Sequence, residues 1–510
     1  MTSLLKYSAS YFRTTMELGV LDFTLTFLAL RPPGPRQVPI LGNILQIPVD
    51  SAWKVYQGWG RQFGSDIVYL SGLGMNIIVL NSLEATSELF DKRSQIYNDR
   101  PHSILLHDLV GFDWTMLFTH YGQRFKDMRK ALQQEFNSGR VMNYQDSQID
   151  AVHELLQELL CQPKRFNKAF RGMASKIVMK SAYGIDIQSE NDEYVRIAEK
   201  GLEILTTSVG QGIPLIDILP ILRHLPAWFP GMGTKRQARE WRQCADLMRS
   251  MPFDNVKARI ASGETLQCAA SSLLENSKGT DYEEDVIRSA LGSMYAGAAD
   301  TVTYMLSWFV LAMVLYPQVQ QKAQREIDEI IGRGRLPIFA DRQRLPYINA
   351  IYNECLRWHP VIELSFPHRL MEDDVYKGYF LPQGSLVFGN AHAILHDEDV
   401  YPNPKQFMPE RFLRVDGSWN PDARDPSVAF GFGRRICPGR FIARETLWIA
   451  IASILSSFTI SAARDENGKE LIPDEAHLPG GIVSPAPFKC NIKPRSTDHE
   501  ALILATQRKE

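Results

Sequence analysis

The stretch Phe430-Gly-Phe-Gly-Arg-Arg-Ile-Cys-Pro-Gly439 decides how the rest of the chain is read. Cys437 stands two residues after Arg435, behind Gly431 and Gly433 and ahead of Pro438 and Gly439. Closely spaced glycines let a backbone approach a bulky flat ligand, and a cysteine thiolate can serve as its axial metal ligand. A lone cysteine is more often a small buried hydrophobe, and a Gly-rich run is more often a plain turn. Taken as a unit, the stretch suggests a haem held through sulfur.

Working outward, Phe441 to Phe458 reads as a helix whose N-terminus lies beside the thiolate, where backbone dipoles favour an anion. Upstream, Thr280 to Gly332 is the longest helical reading. Thr280 and Glu283 form a capping-box pair, and apolar spacing continues until Pro317 opens a second helix. In its middle stands Ala296-Gly-Ala-Ala-Asp-Thr301. Small residues there let something flat lie against the helix, whereas Asp300 and Thr301 are costly in an apolar run unless used. The helix read over Leu345 to Trp358 carries Glu354 and Arg357 at i, i+3, within salt-bridge reach. Tyr121 to Phe136 reads as a basic helix, and Ile67 to Leu80 as two strands around a Gly-containing turn.

The pattern F-x-x-G-x-R-x-C-x-G, with every fixed position filled from Phe430 to Gly439, resembles the haem-binding loop of the cytochrome P450 family. The resemblance implies that Cys437 is the axial thiolate on iron, that Arg435 reaches a haem propionate, and that Phe430 and Gly431 pack beside the sulfur. It implies Arg129, four residues after Phe125, as a second propionate partner; tryptophan is usual where Phe125 stands, so an indole donor is missing. His368 in Phe366-Pro-His-Arg369 is implied as a third partner. Asp300 and Thr301 resemble the family's oxygen-activation pair, Thr301 donating a proton towards bound dioxygen and Asp300 feeding the relay; Val302 replaces the hydroxyl commonly found next. Glu354, Arg357 and the Arg411 of Pro409-Glu-Arg-Phe412 are implied as a buried charge network fixing the cysteine loop.

Composition agrees with one large globular domain: 510 residues, 45% hydrophobic and 22% charged, with no repeat or linker-like interruption. A net charge of −2 argues against a nucleic-acid partner. The cysteines at 161, 244, 268, 355, 437 and 490 form no C-x-x-C pair, and no N-x-S/T sequon occurs, which fits a reduced, cytosol-facing protein. Leu18 to Leu30 is apolar but interrupted by Asp22, short of the roughly 20 residues a span needs. Arg31 to Arg36, RPPGPR, reads as a stiff hinge. Residues 1–30 are therefore expected as a membrane anchor, 31–36 as the hinge and 37–510 as the catalytic domain.

The implied fold is mainly α, with small β-sheets. The implied activity is that of a haem-thiolate monooxygenase using haem b and O2 on a hydrophobic small molecule, most like fungal members that tailor terpenoids or polyketides. No nicotinamide or flavin motif is present, so NADPH would act only through a partner NADPH-cytochrome P450 reductase. Its docking face would use Arg124, Lys126, Lys130, Arg434, Arg440 and Arg444. The resemblance further implies the endoplasmic reticulum membrane, with the catalytic domain on its cytoplasmic side and the apolar segment Gly201 to Gly233 dipping into lipid as an access lid. The alternative within the fold is an isomerase or dehydratase that needs neither O2 nor reductase, and Asp300 with Thr301 argue against it. A non-catalytic haem carrier would need no apolar lid.

Overall fold

The computed structural model describes residues 30–187, 192–210, 214–229 and 233–506, so the apolar leader lies outside the described residues except for Leu30. The hairpin forms as read. β1 (Ile67–Gly72) pairs antiparallel with β2 (Met75–Leu80), Gly72 opposite Met75. Leu73 and Gly74 between them both have positive φ, 50° and 81°, in a tight turn whose twist matches the strands. β2 then takes the strand Leu386–Gly389 as a parallel neighbour, and that strand pairs antiparallel with β3 (His368–Arg369). This small sheet therefore carries His368 to the neighbourhood of the loop Phe430–Gly439 by a pairing remote in sequence.

The proline-rich stretch at 31–36 is fastened along this sheet. The Pro33 carbonyl accepts from the Tyr69 N–H at 3.0 Å, and the Leu30 carbonyl accepts from Phe380 at 2.8 Å. The Arg31 guanidinium lies 4.7 Å over the Phe380 ring.

The remainder is helical and packs around one helix, Asp281–Leu315, called the central helix below. Thr280 caps it as expected, its hydroxyl accepting from the Glu283 N–H, and it stops where Pro317 opens the helix Pro317–Ile330. It is long and apolar enough to cross a membrane, but its most apolar window is 78% buried inside the protein, so its hydrophobicity serves the core. It packs on Phe166–Tyr183, Gln123–Glu135 and Arg440–Ser457. Between 481 and 495 the tail forms the strand Cys490–Pro494, paired with Phe458–Arg464. The preceding segment instead dips into the core, where Val483 donates to the Val361 carbonyl and accepts from the Trp308 indole.

The helix Pro346–Trp358 presents Glu354 and Arg357, both with fully buried side chains. Arg357 grips the carboxylate with Nε at 2.7 Å and Nη2 at 2.8 Å, and Arg411 adds Nε at 3.2 Å. The Met408 N–H donates to the same carboxylate at 2.8 Å. The remaining guanidinium protons go to carbonyls of Leu395, Pro402, Asn403 and Gln406. One buried anion thus gathers two cations that between them organise the chain from 395 to 411. In Arg357→Ala, Glu354 keeps its burial but loses its main partner, a loss of roughly 3–5 kcal/mol. The expected outcome is little folded holoprotein, measured as haem bound per polypeptide and as the unfolding midpoint in urea.

Candidate active site

The loop Phe430–Gly439 folds back on itself, the Cys437 N–H donating to the Phe430 carbonyl at 2.8 Å. Two of its glycines are required by geometry. Gly431 has φ 88° and Gly433 has φ 54°, and a Cβ on Gly433 would lie 2.2 Å from the Phe90 carbonyl oxygen. Cys437 sits just ahead of the helix Arg440–Ser457. Burial pushes its thiol pKa up. The Gly439 N–H opposes this, as do the charges of Arg129 and Arg440 and the Arg440 N–H, so the anion has ready partners.

A single apolar cavity is lined by Phe430, Gly431, Cys437 and Pro438 of this loop and by Ala296, Gly297, Thr301, Val302 and Met305 of the central helix. The helix wall is open at Gly297, where an added Cβ would meet nothing within 4 Å. The loop and helix motifs, well over a hundred residues apart in sequence, thus face one space.

Three arginines at its edge carry the electrostatics: Arg100, Arg129 and Arg435 all line the cavity. Arg435 donates to three backbone carbonyls, those of Asn98, Met116 and Thr119, at 2.8, 3.0 and 2.9 Å, and its guanidinium lies 3.8 Å over the Phe125 ring. Phe125 therefore works as a cation–π platform for Arg435. Arg129 donates to the Ile436 carbonyl, and Arg100 to the carbonyls of Phe366 and Pro367 at 2.7 and 2.8 Å. The buried Nε of Arg100 has no acceptor. None of the three is paired with a carboxylate among the described residues: the nearby Asp99 carboxylate is occupied by the Tyr121 N–H, His120 and Arg369. Burial consequently pulls the guanidinium pKa down to about 10 for Arg100 and Arg129 and to about 8 for Arg435. Such a cluster is suited to a buried ligand bearing carboxylates, and the propionates of haem meet that requirement.

His368 lines the cavity edge as expected, 1% exposed, with its ring 4.1 Å from that of Phe90. Its Nδ1 lies 2.7 Å from the Tyr97 carbonyl and so must donate to it. In the neutral ring Nε2 is then an acceptor, and it becomes a donor to a carboxylate only on taking a second proton. Burial, with Arg100 beside it, holds the imidazole well below its ordinary pKa.

Asp300 and Thr301 separate. Thr301 lines the cavity, its hydroxyl donating to the Gly297 carbonyl at 2.8 Å. Asp300 is 5% exposed and lies outside the cavity lining; its carboxylate accepts from Arg171 Nη2 at 2.7 Å, on the helix Phe166–Tyr183. Successive helical residues point about 100° apart, so the two cannot share one face. Asp300 is thus not joined directly to the reacting space as the sequence suggested. The basic face is also trimmed: Arg124 is paired with Asp285, and Arg440 stacks on Phe441, whereas Lys126, Lys130, Arg434 and Arg444 are exposed. Sequence reading missed Arg100 altogether. It sits in an irregular Asn98-Asp-Arg-Pro101 loop, and only its distance partners, 266 and 267 residues away, reveal it.

A family model described as Cytochrome P450 matches residues 32–490. The chain belongs to the cytochrome P450 family. It is 42% identical to Cytochrome P450 monooxygenase 98 of Postia placenta over 482 residues, covering 93% of this chain and 92% of that one. It is 38% identical to Cytochrome P450 monooxygenase ple1 of Rhodocybe pseudopiperita, covering 93% and 91%. It is 36% identical to Tryptamine 4-monooxygenase of Psilocybe cyanescens, covering 92% and 93%. This P450 is a haem-thiolate monooxygenase that uses haem b, O2 and electrons derived from NADPH through a redox partner, acting on a small molecule.

Hydrogen bonds to a charged group are worth about 1.5–3 kcal/mol. Arg100→Ala is therefore expected to release haem about tenfold faster or more to an excess of apomyoglobin, with the circular dichroism of the folded protein retained. Arg100→Lys is expected to fall between the two.

Proposed function

We propose that Cys437 is the axial ligand of the haem iron, that Arg100, Arg129 and Arg435 hold the propionates with His368 beside them, and that Thr301 handles the proton at the reacting face. The observation that carries this reading is the single cavity shared by Cys437 and Thr301. When bound, the haem supplies reductive activation of dioxygen and insertion of one oxygen atom into an unactivated C–H or C=C bond.

The protein's part follows from its own groups. The Thr301 hydroxyl, bonded to Gly297 in the resting helix, has to rotate away from that carbonyl to donate into the cavity, and Val302 offers no substitute. Asp300, held by Arg171, lies on the far side of the same turn, with the partly exposed Glu199 3.9 Å beyond Arg171. To pass protons inward it would have to turn away from Arg171. Gln123–Glu135 carries Arg129, the cysteine loop carries Arg435, the carbonyls of Phe366 and Pro367 hold Arg100, and Glu354, Arg357 and Arg411 keep the loop's support rigid.

The substrate proposed is neutral and apolar, in the terpenoid or polyketide range. Among the described residues no carboxylate lines the cavity; its lining includes Met116, Phe118, Leu202, Val361 and Ile362, and the hydroxyls of Ser293 and Ser365 there are engaged with backbone. A protonated amine of the kind named for the tryptamine relative would find no anionic partner in that lining. Membrane association is proposed from residues 1–30 together with the exposed Leu215, Leu219, Ile221, Trp228 and Phe229, which sit on short helices at Leu215–Ile218 and Pro220–His224 and the loop after them. We place the chain at the endoplasmic reticulum, with its domain on the cytoplasmic side. There an NADPH-cytochrome P450 reductase would dock on Lys126, Lys130, Arg434 and Arg444.

Thr301→Ala tests the assignment. Reconstituted with reductase, the variant is expected to bind haem normally, to consume NADPH and to release mostly hydrogen peroxide in place of oxidised product, with Thr301→Ser restoring much of the coupling. Coupling of NADPH to product that is unchanged in Thr301→Ala would show that the hydroxyl only bonds back to its helix.

A further inference from the structure

Outside the haem cavity, the segment from Asp99 to Tyr121 brings three histidines together. His102, His107 and His120 each place a ring nitrogen within 4.8 Å of the others'. The ring centroids are 4.6 Å apart for His102 and His107, 5.8 Å for His107 and His120, and 6.1 Å for His102 and His120. His107 is buried, whereas His102 and His120 are exposed at the loop surface.

Two of the rings are backed by carboxylates. His102 Nε2 lies 3.1 Å from Asp108 Oδ1, and His120 Nδ1 lies 3.1 Å from Asp99 Oδ1. A carboxylate taking the N–H of one ring nitrogen leaves a lone pair on the other and raises its basicity, the usual support for a metal-bound imidazole. His107 has Nδ1 3.1 Å from both the N–H and the carbonyl of Ser103, and Nε2 3.2 Å from the Phe118 carbonyl, so a cation takes Nε2 by displacing that carbonyl contact. Three imidazoles are a donor set for borderline cations and a poor one for Mg2+ or Ca2+, which demand oxygen ligands.

We propose that His102, His107 and His120 form a binding site for a divalent transition cation, Zn2+ foremost, with one position left for water. The site ties together the two ends of the segment whose middle, Thr115 to Phe118, lines the haem cavity. The same segment is bonded to the candidate lid, Ser103 Oγ donating to Asp217 Oδ2 at 2.6 Å and the Leu105 N–H to Asp217 Oδ1 at 3.2 Å. A bound cation pins this segment and slows the entry of ligands to the haem. The site depends on none of the roles proposed above for Asp300 or Thr301.

The test uses the full-length holoprotein with Zn2+ as the probe, by calorimetric titration and equilibrium dialysis. The wild type is expected to bind one equivalent that His102→Ala/His120→Ala loses, with affinity weakened at least about tenfold. His102→Ala alone, which removes an exposed ring paired with Asp108, is expected to weaken binding without altering haem content. In stopped flow, Zn2+ is expected to slow the binding of 4-phenylimidazole to the haem in wild type and to leave the double variant unchanged. No saturable Zn2+ binding, or binding equal in wild type and variants, would overturn the site. Binding that leaves the association rate unaltered would overturn the pinning of the loop.

Discussion

The structure depends on positive charge buried without its counter-charge. Arg100, Arg129 and Arg435 reach one apolar cavity from three unconnected stretches of chain, each bonded mainly to backbone carbonyls, and Asp99 is already occupied elsewhere. Desolvating a cation with no anion beside it is costly, and burial accordingly draws all three guanidinium groups below their ordinary pKa. On the proposed reading, a haem with two propionates would relieve that cost, with Cys437 as the ligand to its iron. Folding and cofactor binding would then be coupled through this charge balance, with the apolar remainder of the cavity open to substrate.

Charge is handled in the opposite way behind the loop. Glu354 brings its own cations, Arg357 and Arg411, and every strong donor in the cluster is satisfied within the protein. That unit is self-contained and needs no cofactor charge to satisfy it. The central helix joins the two regimes. Its capped, proline-stopped length is core, and only around Ala296 to Thr301 do small residues expose its wall to the cavity.

Much of this was legible where local chemistry repeats a simple rule. The hairpin at Ile67 to Leu80, the Thr280 cap, the Pro317 break and the Glu354–Arg357 spacing all depend on neighbours within a few residues, and all stand as read. Arg100 was illegible because its partners come from Phe366 and Pro367, and an arginine ahead of a proline in an irregular loop carries no period. The split between Asp300 and Thr301 follows from helical geometry, but a motif read as a unit concealed it; the salt bridge to Arg171 depends on a neighbouring helix that sequence does not place.

The most direct test of the haem-thiolate assignment is the Soret band of the reduced carbon monoxide complex in Cys437→Ala. The substitution removes the one sulfur in the loop while leaving the arginines that would hold the propionates. Loss of the thiolate-type band, with haem still bound in part, is the expected result. A band unchanged from that of the unsubstituted protein would contradict Cys437 as the ligand, and with it the reading of the cavity as a haem-thiolate site.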